Sequence, residues 1–85
     1  MSMNAQQLIT VFPNPVTGIL NIRNSNPKTE YQNTRIIDSA GEVVHTERMS
    51  GLNHVQLDAS SFPNGLYLIE LTDNYGHQII KKFIK

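Results

Sequence analysis

The sequence contains no cysteine and no tryptophan. The first absence excludes disulfides, thiolate metal sites and a thiol nucleophile. It leaves the compartment open, since a secreted bacterial domain can dispense with disulfides. The second weakens a sugar-binding reading, because such faces offer flat exposed rings. Charge of either sign is scarce: 16% of the residues are charged, and seven basic groups balance seven acidic ones. A neutral chain lacks the electrostatic footprint of a nucleic-acid binder, so no nucleic-acid partner is expected. Long hydrophobic runs are also missing. Nothing approaches the roughly 20 apolar residues of a membrane-spanning helix, so no membrane insertion is expected. Residues 1–7 have neither a basic start nor an apolar stretch and are no secretory signal. They read as a leader or the cut end of a linker, and residues 8–85 as a domain excised from a longer protein.

Helical periodicity is absent too. No segment of ten or more residues carries it, and short alternating runs bounded by turn chemistry fill the chain. The run Leu66-Tyr67-Leu68-Ile69-Glu70-Leu71-Thr72 is the most apolar, suits a pleated surface and reads as the central strand. Pro63-Asn64-Gly65 before it is a turn, and Phe62 is a large apolar residue anchoring its loop into a core. Leu8 to Phe12 reads as a strand ended by Pro13-Asn14-Pro15, because proline cannot donate to a ladder. Ile19 to Arg23 alternates, with Leu20 and Ile22 inward. Asn24 to Thr29 is a polar loop holding Pro27. Residues 30–38 form a strand, and Glu42 to Arg48 returns with Val44 as its core residue. Between them, Asp38-Ser39-Ala40-Gly41 is a turn in which the carboxylate accepts the amide two residues on and Gly takes the left-handed position. Met49 to Asn53 is a loop. His54 to Asp58 alternates with Val55 and Leu57 on one face. Asp73-Asn74-Tyr75-Gly76 repeats the Asp-x-x-Gly spacing and predicts a second hairpin of the same kind. His77 to Lys85 is the last strand, and its inner face is open: Ile80 and Ile84 lie on one side, Ile79 and Phe83 on the other. The fold class is therefore all-β, an immunoglobulin-like β-sandwich of about seven short, mainly antiparallel strands.

Eighty-five residues make one domain, which buries roughly 60% of its unfolded surface and has little room for a catalytic cleft. His45, His54 and His77 are not at ligand spacing and read as solvent-facing strand residues. Ser39, Ser60 and Ser61 lie in no nucleophile elbow. Asp38, Asp58 and Asp73 sit at turns or strand ends, where they cap amides. No catalytic residue, metal or cofactor is expected. Tyr31 and Tyr75 are candidates for an exposed sugar-binding face, and Tyr67 for an internal ring whose hydroxyl finds a partner near a sandwich corner. Lys81-Lys82-Phe83-Ile84-Lys85 is the one local charge excess. It reads either as an edge strand guarded by lysines or as a recognition tag.

Four stretches together resemble the carboxy-terminal sorting domain of the type IX (Por) secretion system, type A, found on secreted Bacteroidetes proteins. They are Val11 to Pro15 with Leu20-Asn21-Ile22, then Ile36 to Val44 with Asp38 and Gly41, then Leu57-Asp58 with Phe62-Pro63-Asn64-Gly65-Leu66-Tyr67, and finally Lys81 to Lys85. Phe62 stands where the family usually has Leu, a volume change a core absorbs. The resemblance implies a non-catalytic sandwich that ends a larger cargo protein and is recognised by outer-membrane secretion machinery. The cargo reaches the cell surface or the medium through the periplasm and outer membrane, and the domain is typically cleaved off. On this reading Lys81, Lys82, Phe83, Ile84 and Lys85 carry the sorting signal, while Pro13, Asn14, Pro15, Asp38, Gly41, Pro63, Gly65 and Tyr67 support it. The alternative is a carbohydrate-binding or adhesive module appended to a secreted glycoside hydrolase.

Overall fold

Alternation of apolar and polar residues produces seven strands among the described residues of the computed structural model, which are 8–26, 28–51 and 53–85. The expected leader at 1–7, Pro27 and Leu52 lie outside them. The strands are β1 (Ile9–Phe12), β2 (Ile19–Asn24), β3 (Tyr31–Ile37), β4 (Val43–Arg48), β5 (His54–Asp58), β6 (Leu66–Asp73) and β7 (Gln78–Ile84). They form a three-stranded sheet in the order β1-β2-β5 and a four-stranded sheet in the order β4-β3-β6-β7. Every pairing is antiparallel.

The core lies between the two sheets. Ile9, Leu20, Ile22, Val55 and Leu57 enter from the first, and Tyr31, Ile36, Tyr67, Ile69, Leu71 and Phe83 from the second. The expected inward residues of β2 and β5 are all buried. β6 is flanked on both sides, by β3 and β7. Its inner row is Tyr67, Ile69 and Leu71, which explains why it is the most apolar run. The register Tyr67↔Phe83 and Ile69↔Lys81 then fixes β7. Ile79, Lys81 and Phe83 face inward, and Ile80 and Ile84 are exposed.

The two Asp-x-x-Gly turns have one geometry. The Asp38 carboxylate accepts the Ala40 and Glu42 amides at 3.0 and 2.9 Å. The Asp73 carboxylate accepts the Tyr75 and His77 amides at 2.8 and 2.9 Å. Gly41 and Gly76 close the turns at φ +85° and +86°, where a Cβ is disfavoured. Each Asp amide also donates to the carbonyl four residues on, at 2.9 Å in both hairpins.

Two expectations fail for the same reason, an extra residue in a ladder. Val44 is 40% exposed and not a core residue. β4 is an edge strand, and its register with β3 jumps from Ile36↔His45 to Ile37↔Val43, so Val44 has no opposite residue. His45 and Glu47 take the inward side instead. Tyr31 is buried and offers no exposed ring. The β3–β6 register skips between Tyr31 and Asn33, which turns Tyr31 to the same side as Thr34. Burial, then the charge of its cross-strand neighbour Asp73, pushes the Tyr31 phenol up. Met49, read as a loop residue, is fully buried, and its amide donates to the Gln32 carbonyl at 2.8 Å.

Thr34 is fully buried on β3, and its hydroxyl has no partner among the described residues. A buried hydroxyl without a hydrogen bond costs more than the methyl that replaces it. Thr34→Val is therefore expected to stabilise the domain by about 1 kcal/mol. Urea unfolding checks this, and a midpoint at or below that of the wild type contradicts it.

Candidate recognition surface

The basic-apolar-basic stretch is the second half of β7 together with Lys85 just past its end, and it is less a tail than a clasped strand. Phe83 is 0% exposed and stacks on Tyr67 with ring centroids 5.1 Å apart and planes 11° apart. Tyr67 packs in turn against Phe62 at 5.6 Å, and its hydroxyl donates to the Pro63 carbonyl. That is the corner partner expected of it. Gly65, at φ 157°, exchanges both backbone hydrogen bonds with Lys85 at 2.9 Å. The Lys85 ammonium donates to the Ser60 carbonyl at 2.9 Å and to the Phe62 carbonyl at 2.6 Å.

The Pro-Asn-Pro segment closes the other side of the same strand end. Ile84 points its amide and carbonyl away from β6, as an edge residue does. The Asn14 side-chain oxygen accepts the Ile84 amide at 3.0 Å, and the Val16 amide donates to the Ile84 carbonyl at 2.8 Å. Val16 itself is buried. Asn14 thus acts as a one-residue substitute strand. Pro13 and Pro15 flank it, each after a cis peptide bond.

Asn14, Pro63, Gly65, Tyr67, Phe83, Ile84 and Lys85 therefore meet at one end of the sandwich. Asp38 approaches the Pro63–Tyr67 segment across a pocket of about 230 Å³ that Val44 also lines. Gly41 closes the neighbouring turn. Lys81 and Lys82 lie farther along β7. Local patterning could not reveal the Asn14–Ile84 contact, which joins residues 70 apart.

The aspartates and histidines outside this end have local partners. The Ser60 hydroxyl and amide hold the Asp58 carboxyl below its usual range. Burial pushes the Asp73 carboxyl up, but the Tyr75 and His77 amides and the His77 ring outweigh it, and the net shift is downward. His45 sits 3.1 Å from Glu47, His54 is 3.0 Å from the Asn21 side-chain oxygen, and His77 is 3.3 Å from Asp73. Among the described residues no three His, Asp or Glu side chains gather as metal ligands would. Of the two tyrosines considered for a sugar face, Tyr75 alone is exposed.

A solved structure similar to this chain is a DUF3244 family protein from Bacteroides vulgatus ATCC 8482 with an immunoglobulin-like β-sandwich fold. It is 26% identical, with a TM-score of 0.72, over 92% of this chain and 84% of that one. CopC from Methylosinus trichosporium OB3b is also similar, at 16% identity and a TM-score of 0.48 over 89% of each chain. No curated protein matches the chain. The family model described as "secretion system C-terminal sorting domain" matches residues 10–85, from the middle of β1 to Lys85. The chain belongs to that family, the sorting domains of type IX secretion.

Proposed function

We propose that this domain works as a non-catalytic sorting module whose folded last strand is read by outer-membrane secretion machinery. Type IX sorting domains mark proteins that are secreted or anchored at the cell surface, and the cargo lies upstream in the same chain. One observation carries the residue-level reading. Three segments far apart in sequence, around Asn14, Pro63–Tyr67 and Phe83–Lys85, are bonded to one another at the end of β7. Folding thus builds the strand that the machinery receives. Phe83 and Lys85 hold that strand in place, with Gly65, Tyr67 and Asn14 as their partners. Ile80, Lys82 and Ile84 make up its outward row. A sugar-binding role draws no support from Tyr31, which is buried.

The test is to fuse the whole chain behind a periplasmic reporter in a bacterium that has type IX secretion. The reporter is expected at the cell surface or in the medium. Retention in the periplasm, at the level of the reporter alone, overturns the reading.

A further inference from the structure

The outer face of the four-stranded sheet is apolar over one half. Register places Val43, Ile37, Leu68 and Lys82 in one row across all four strands, with Leu66 and Ile84 paired beside it. On the other side of that row Arg35, Glu70 and Ile80 lie in line. Val43, Leu66, Ile80 and Ile84 are each 40–51% exposed, and Ile37 and Leu68 fill the space between them half-buried. The outer face of the other sheet differs. There Asn21 binds His54 and Gln56, and Arg23 lies over Phe12, while Ile19 is an isolated apolar residue.

Charge on the apolar half has one sign. Arg35 and Glu70 neutralise each other at its border through contacts of 2.9 and 3.3 Å. Lys82 stands within it and makes no ion pair among the described residues. The complementary surface is therefore apolar with a carboxylate set over Lys82. A second copy of this chain does not offer that. A two-fold pair would bring two uncompensated Lys82 ammoniums onto one interface.

The geometry points to this face, and not the linear Lys81–Lys85 sequence, as the docking surface for an acidic-apolar patch on a component of the export machinery. The inference rests on the sorting role proposed above. Val43 separates it from a tail-only signal, because it reaches the face from β4, on the far edge of the sheet.

The experiment uses the same reporter fusion with Val43→Glu, Leu66→Glu and Lys82→Glu, and with Ile19→Glu as a control of equal exposure (48%) on the other sheet. Unfolding midpoints of the purified chains report whether each variant folds. Export is expected to fall tenfold or more in the three face variants at unchanged midpoints, and to persist in Ile19→Glu. Wild-type export of folded Val43→Glu or Leu66→Glu overturns the docking face alone, as does an equal loss in Ile19→Glu. A wild-type fusion held in the periplasm overturns the sorting role and the face with it. Sedimentation showing a wild-type dimer that Leu66→Glu disperses gives the face to a second copy and overturns the assignment.

Discussion

Phe83→Ala is expected to remove a large fraction of the domain's stability and to lower export for that reason. Phe83 has no exposed surface and stacks on Tyr67. Truncating a buried phenylalanine to alanine costs about 3–5 kcal/mol through lost transfer energy and the cavity left behind. A chain of this size has a total stability on the order of 10 kcal/mol or less. Urea unfolding of Phe83→Ala and Phe83→Leu checks the origin of the loss. The leucine variant keeps most of the volume and is expected to retain most of the stability. A Phe83→Ala midpoint equal to the wild type contradicts the expectation. The distinction matters for reading tail variants: truncation at Phe83 acts by weakening the sandwich, whereas a change at the outward-facing Lys82 leaves it standing.

Tyr67 is expected to show two separable effects. Tyr67→Phe removes the hydroxyl and leaves the Pro63 carbonyl without its donor, a loss of about 1–2 kcal/mol. Tyr67→Ala also removes the ring wedged between Phe62 and Phe83, and costs about 3–5 kcal/mol. Because Tyr67 and Phe83 touch, their effects do not add. A double-mutant cycle using Tyr67→Leu and Phe83→Leu is expected to return a coupling of about 0.5–1.5 kcal/mol, the range of an aromatic pair. A coupling of zero means that the stack contributes no more than its separate burial.

Much of this fold is legible in the sequence because its determinants are local. The period-2 alternation in β2 and β5 names their inward residues. Asp38 and Asp73, each three residues before a glycine, specify hairpins that match bond for bond. What stays hidden depends on register or distance. One-residue bulges set the side faced by Tyr31 and leave Val44 unopposed, and neither interrupts the apolar pattern that a reader follows. Met49 looks like a loop residue and is buried because its backbone stays bonded to Gln32 past the end of β4. The candidate site divides in the same way. Lys81–Lys85 is visible as a charge excess, but the inward turn of Phe83 follows from its register opposite Tyr67. The apolar outer face is spread over four strands, so no single stretch reveals it.

The bond from Ile84 to Asn14 joins residues 70 apart and so ties the first part of this domain to its last strand. Closing so long a loop carries an entropic cost that the other contacts of the sandwich offset. A chain arriving amino end first cannot make this contact until Ile84 has emerged, and loss of either the Asn14 segment or the end of β7 leaves the joint open. The arrangement thus doubles as a check on the domain itself: the joint shuts only when both the Asn14 segment and the end of β7 are in place.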